Sequence, residues 1–162
     1  DDNQLSLKAI LLTHHHNDHT AGVEGILNKI KVPIYSPSKE IKHTTIIVKE
    51  KDTIDLDFIR IEVIATPGHT MDHVVFYSKE NNILFSGDTL FRLGCGKVFE
   101  GSYEQMFTSL QKIFLLENRT IVYCGHEYTN TNLNFLLKIF PENKNLLNEK
   151  NKIYLLLALA SL

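Results

Sequence analysis

The segment Thr13-His14-His15-His16-Asn17-Asp18-His19 packs imidazoles and a carboxylate into one short stretch. It follows the apolar run Leu7–Leu12, which reads as a buried strand. It precedes Val23, Ile26, Leu27 and Ile30, which recur at helical spacing. So many polar rings make poor core material, but in a loop at a strand end they can converge on a metal. Imidazole and carboxylate suit zinc, iron or manganese, and the lack of nearby thiolates argues against a structural zinc knot. A purification tag or a solvated loop is the bland alternative. A tag usually sits at a terminus, in a longer run of histidines.

Three further segments share one layout. Thr66-Pro67-Gly68-His69-Thr70 follows Val63–Ala65, Ser86-Gly87-Asp88-Thr89 follows Ile83–Phe85, and Cys124-Gly125-His126-Glu127-Tyr128 follows Ile121–Tyr123. Each places a candidate ligand just beyond an apolar strand, directly after a glycine that permits a tight turn and a close backbone approach. Singly, such a His or Asp is more often structural. Together the four strand ends supply seven candidate ligands, enough for two metals.

The elements that must position them follow from periodicity. Val32–Tyr35 reads as a strand stopped by Ser36-Pro37, and Thr44–Val48 and Ile54–Ile64 are β-rich. Val74–Tyr77 and Ile83–Phe85 flank a turn at Lys79-Glu80-Asn81-Asn82. A loop spans Gly87–Gly101. Helices are expected over Tyr103–Leu116 and Leu133–Phe140, with a strand over Thr120–Cys124 between them. This order argues for α/β (α+β) architecture, sheet layers covered by helices.

At 162 residues the chain is about one domain long, with ordinary hydrophobic (43%) and charged (22%) shares. Lys plus Arg is 17 and Asp plus Glu is 19, a net charge of −2, which excludes nucleic-acid binding through bulk positive charge. Two cysteines make no disulfide framework, so a reducing, cytoplasmic setting is expected. No run reaches the roughly 18 apolar residues a membrane span needs, and the opening residues do not read as a secretory leader. No membrane partner is expected, and the oligomeric state stays open.

The pattern Thr-His-x-His-x-Asp-His, Pro-Gly-His-Thr, Gly-Asp-Thr and Gly-His resembles the metallo-β-lactamase superfamily. Gly94-Cys95-Gly96-Lys97-Val98-Phe99-Glu100-Gly101 and Cys124-Gly125-His126-Glu127-Tyr128-Thr129 narrow the resemblance to glyoxalase II, the hydroxyacylglutathione hydrolases. It covers about Leu7 to Pro141. It implies a four-layer αββα sandwich, lacking N-terminal strands of the first sheet. It implies a hydrolase domain over 1–141, with 142–162 an unmatched tail in place of a helical C-terminal region.

The same resemblance implies two divalent metals, zinc first, with iron or manganese as alternatives. His14, His16 and His69 would hold one, Asp18, His19 and His126 the other, and Asp88 would bridge them, leaving His15 a non-ligand. It implies a metal-bridging hydroxide that attacks the thioester of S-(2-hydroxyacyl)glutathione, with Asp18 and Asp88 serving catalysis. Lys97, Phe99 and Tyr128 would contact the glutathione moiety, and Phe99 stands where many members have Tyr. Cys95 and Cys124 read as packing residues.

Three other readings stand beside it. The first is a truncated, inactive remnant. The second is another hydrolase of this fold. The third is a mononuclear-iron persulfide dioxygenase, a class that lacks the Lys-Val-Phe-Glu-Gly and Gly-His-Glu-Tyr patterns.

Overall fold

In the structure, a computed structural model that describes residues 5–160, the strand expected over Leu7–Leu12 narrows to Ile10–Leu11 (β1). Residues 1–4 and 161–162, assigned from sequence to the start of the domain and to the tail, lie outside the described residues. The histidine cluster closes into a single helical turn, Asn17–Thr20 (α1), and Val23–Leu27 (α2) follows. Ile34–Ser36 (β2) and Ile46–Ile47 (β3) complete a parallel sheet in the order β1-β2-β3.

The β-rich run Ile54–Ile64 divides into Thr53–Asp55 (β4) and Arg60–Ala65 (β5). The division falls at Asp57, whose φ of 66° suits a turn and not a strand. Val74–Ser78 (β6) and Ile83–Gly87 (β7) form the expected hairpin. The Gly87–Gly101 loop contains a small antiparallel ribbon, Leu90–Phe91 (β8) with Gly94–Cys95 (β9). Tyr103–Phe114 (α3) starts on a capping box: Ser102 Oγ accepts the Gln105 N–H at 3.2 Å, and Gln105 Oε1 accepts the Ser102 N–H at 2.8 Å.

Ile121–Cys124 (β10) pairs parallel with β7, at one edge of a second sheet ordered β10-β7-β6-β5-β4. Thr129–Ile139 (α4) begins ahead of the expected Leu133, because the Glu127 carboxylate accepts the Thr129 N–H at 2.9 Å. The tail is helical over Lys144–Ala160 (α5) and lies against α4, with Glu149 paired to Arg92. Among the described residues, no helix is long and apolar enough to cross a membrane.

Strand alternation sorts the core into layers. Ile61, Val63, Val74 and Phe76 project from one face of the second sheet and meet Leu11 and Tyr35 of the first. Val75, Tyr77, Leu84 and Ile64 project from the opposite face and meet Ile113 of α3. On the far side of the first sheet, Ile34 and Leu12 meet Val23 and Leu27 of α2. The sequence of layers is α2, first sheet, second sheet, α3, the expected αββα sandwich. The first sheet is shorter and narrower than the second. The inner face of β7 and β10 is therefore partly open, with Phe85 and Tyr123 stacked at 5.5 Å and both exposed.

Two stability outcomes follow. Phe76 is fully buried between the sheets, so Phe76→Ala should cost about 3–5 kcal/mol in urea unfolding, by lost transfer energy plus a cavity. Ser102→Ala removes one half of the α3 capping box and should cost only about 1 kcal/mol in the same experiment.

Candidate metal centre

Each candidate ligand sits where a strand has just released the chain. His14, His16, Asp18 and His19 follow β1 and run into α1, His69 follows β5, Asp88 follows β7 and His126 follows β10. The parallel pairing of β10 with β7 brings the last two loops to one end of the second sheet. Antiparallel β5 and β6 bring the loop between them to that same end. The bond from the Val74 N–H to the Thr13 carbonyl at 2.9 Å ties the histidine cluster to the start of β6.

Two glycines make the convergence sterically possible. Gly87 has φ +47°, and a Cβ there would lie 2.6 Å from Thr13 Oγ1 and 2.8 Å from His73 Nε2. A Cβ on Gly125 would lie 2.5 Å from Asp88 Oδ1 and 2.8 Å from His19 Cε1. Only a bare backbone lets these turns close on the carboxylate.

The seven candidates come together. His14, His16 and His69 offer nitrogens that lie within 4.8 Å of one another, and so do the ligand atoms of Asp18, His19 and His126. His69 Nε2 is 3.1 Å from His16 Nδ1, and His126 Nε2 is 3.3 Å from His19 Nε2 and 3.2 Å from Asp18 Oδ2. Asp88 lies between the groups: Oδ1 is 3.2 Å from His19 Nε2, and Oδ2 is 3.4 Å from both His69 Nε2 and His126 Nε2. Lys97, Phe99 and Tyr128 line a cleft of about 500 Å³ together with His16, Asp18, His69, Asp88 and His126. Lys97 Nζ rides 4.8 Å above the Phe99 ring, and Tyr128 stacks on His126 at 5.1 Å. His14 and His19 sit behind this opening, His14 wholly buried.

Electrostatics acts differently on the individual groups. Burial, then the His73 and His19 rings, push His14 down to about 2, so its ring is neutral. Burial, then His69, also lowers His16. Asp88 holds His19 above its ordinary value. Burial works to raise Asp88, but His19, His126 and His69 outweigh it and keep the carboxyl ionised below its usual range. The set fits a cation on a direct observation. His14 Nε2 is buried and takes part in no hydrogen bond. A buried polar atom without a partner is costly, and a metal would satisfy it. Neutral imidazoles with carboxylates are the donors zinc, iron and manganese accept.

The sequence patterns did not single out His73. It is buried beneath the centre, with its ring stacked on His14 at 4.8 Å. Its Nε2 accepts the Asp88 N–H at 3.1 Å, so Nδ1 carries the proton, 3.0 Å from both Thr66 Oγ1 and Thr89 Oγ1. Burial, then His69, pushes this ring down to about 3, which keeps Nε2 an acceptor. Its position at the head of an apolar strand disguised it. Its partners lie in two other segments.

Known proteins are similar to this chain in sequence and fold. The chain is 49% identical over 152 residues to the hydroxyacylglutathione hydrolase of Psychromonas ingrahamii, covering 91% of this chain and 58% of that protein. It is 46% identical over 145 residues to that of Edwardsiella ictaluri, covering 88% and 57%. The chain thus spans somewhat over half the length of these relatives. Among solved structures, ETHE1 from Myxococcus xanthus superposes with a TM-score of 0.71 at 28% identity, covering 78% of this chain and 57% of that one. TTHA1623, solved in a di-iron-bound form, superposes with a TM-score of 0.65 at 28% identity, covering 77% and 72%. Residues 1–126 match the metallo-beta-lactamase superfamily as a continuous stretch that ends on the last of the seven candidate ligands. Strand-end histidines, a sandwich of two sheets and this match have a single explanation: the chain belongs to the metallo-β-lactamase superfamily.

Proposed function

We propose that the chain is a metal-dependent thioester hydrolase that cleaves S-(2-hydroxyacyl)glutathione to glutathione and a 2-hydroxy acid. The observation that carries this reading is the shared cleft. Five of the seven candidate ligands, His16, Asp18, His69, Asp88 and His126, line one opening with the three candidate glutathione contacts, Lys97, Phe99 and Tyr128. Relatives that are 39–49% identical bear the name hydroxyacylglutathione hydrolase, which supports the same substrate class. On this reading residues 1–141 are the hydrolase domain, in partial form, and 142–162 stand in place of a helical C-terminal region.

His14, His16 and His69 would hold one divalent cation and Asp18, His19 and His126 a second, with Asp88 shared. Zinc suits the donors, as do iron and manganese. Cations bound there lower the pKa of water and polarise a thioester carbonyl. The chain's own residues do the rest. The Asp88 carboxylate supplies negative charge that neither ligand group has to share with solvent. Asp18, at the open side and 3.2 Å from His126, is placed to accept a proton from water that enters the cleft. Lys97 presents a cation to the carboxylates of the tripeptide, and the Phe99 and Tyr128 rings flank its backbone. Overall, the acyl carbon loses its bond to sulfur and gains the hydroxyl of water, and the sulfur leaves as the thiol of glutathione.

Two measurements test this. Loss of a residue that merely supports a metal ligand costs about 10–100-fold in metal affinity or activity, so Asp88→Asn should cost at least about 100-fold in both. Metal content per chain and hydrolysis of S-D-lactoylglutathione read the outcome. Full metal content with unchanged turnover in Asp88→Asn would rule out the shared-ligand role. Lys97→Ala should raise KM for the glutathione thioester about tenfold, the value of one charge-assisted contact. It should leave a small thioester without the tripeptide unaffected, and equal effects on both substrates would remove Lys97 from glutathione binding.

A further inference from the structure

His15 stands inside the ligand cluster yet faces away from it. Its ring is 41% exposed and belongs to neither ligand group. Instead its two nitrogens meet carboxylates from two different loops. Nδ1 lies 3.1 Å from Asp72 Oδ1, in the turn after His69, and Nε2 lies 3.2 Å from Glu100 Oε1, in the loop after β9. Both carboxylates are anchored further. Thr70 Oγ1 donates to Asp72 Oδ1 at 2.6 Å, and the Met71 N–H donates to Glu100 Oε2 at 2.7 Å. Glu100 therefore joins its own loop to the His69 loop directly through Met71, and to the histidine cluster through His15.

That loop carries Lys97 and Phe99. Its inner side is held by His69, whose Nδ1 lies 2.8 Å from the Lys97 carbonyl and whose own carbonyl accepts the Phe99 N–H at 3.2 Å. The Phe99 ring stands edge-on to His69 at 5.3 Å and to His16 at 5.6 Å. The outer side, one residue beyond Phe99, is held by Glu100. A cation could be imagined among His15, Asp72 and Glu100, whose ligand atoms lie within 4.8 Å of one another. Two facts speak against it. The ring nitrogens face different acids, so one ion cannot replace both contacts. Both carboxylates already accept protein hydrogen bonds, unlike the orphaned His14 Nε2.

We propose that His15 is a positioning residue: by bridging Asp72 and Glu100 it clamps the 96–101 loop against the metal-ligand loops, and so sets how well Lys97 and Phe99 are presented to substrate. The second half rests on the thioester-hydrolase reading; the clamp itself does not.

The test uses the full chain with its metals, in five variants: His15→Ala, Glu100→Gln, the double variant, His15→Gln and His15→Asn. Hydrogen exchange of the 97–101 amides reads the clamp. KM, kcat and metal content read its consequence. Contacts this exposed are worth little individually, so exchange in 97–101 should rise about threefold to fivefold in His15→Ala and in Glu100→Gln, with β6 unchanged. KM for S-D-lactoylglutathione should rise by about the same factor, with kcat and metal content unaltered. The double variant should fall short of the sum of the two single effects, because the His15–Glu100 contact is lost in both. A Gln amide reaches where Nε2 was and an Asn amide where Nδ1 was, so His15→Gln should keep the loop ordered and His15→Asn should not.

Unchanged exchange in His15→Ala, or additive effects in the double variant, would overturn the clamp. So would a metal equivalent lost from His15→Ala or Glu100→Gln, since that outcome makes the trio a ligand site. If the parent chain hydrolyses no thioester while the exchange pattern holds, the clamp stands and the hydrolase reading falls.

Discussion

Asp88 is a carboxylate with only 6% of its surface exposed, and imidazoles from three loops crowd within 3.4 Å of its oxygens. Burying that charge is unfavourable unless something opposite pays for it. The surroundings of Asp88 answer this demand in layers. Gly87 and Gly125 remove the side chains that would block the approach. His73 fixes the Asp88 backbone from below through a neutral nitrogen, and Thr66 and Thr89 hold that ring in the required tautomer. The strands deliver the loops. The concentration of candidate ligands and the architecture of the sheets are thus two sides of one electrostatic requirement.

Much of the centre could be read from sequence because its signals are local. A strand end, a glycine and a ligand occupy three or four consecutive residues, and the pattern repeats across segments. The helical face of α3 and the hairpin of β6 and β7 were equally readable, since period and turn chemistry lie within short windows. What could not be read depends on partners far along the chain. His73 is defined by Thr66, Thr89 and the Asp88 amide, and its own neighbours, Val74 onward, look like ordinary strand. His15 could be set aside as a non-ligand, but Asp72 and Glu100 gave no hint that they face it. The break at Asp57 and the ribbon of β8 and β9 depend on single backbone conformations and two-residue pairings, below what periodicity resolves. The helix over Lys144–Ala160 is only weakly amphipathic, so helical periodicity does not mark it.

The cleft also shows how one aromatic ring serves two neighbours. Phe99 packs edge-on against His16 and His69 while its face receives Lys97. A ring's face is electronegative, so it suits the Lys97 ammonium, while the two imidazoles stand nearly perpendicular to the ring. Tyr128 does the corresponding work across the opening, stacked on His126 and edge-on to Phe91 at 5.3 Å. Imidazoles on both sides of the centre thereby have their planes fixed by carbon rings as well as by polar contacts.

One consequence lies at the side of the molecule. Strand β10 is an outer strand of its sheet, and its four residues, Ile-Val-Tyr-Cys, carry no charge. The opposite outer strand, β4, ends in Asp55 and is preceded by Lys51 and Asp52, the kind of decoration that discourages pairing. The two borders of this sheet are therefore unequal in adhesiveness. Because His126 follows β10 by two residues, any extended backbone that docked there would act mechanically on the centre, stiffening the segment that delivers this histidine.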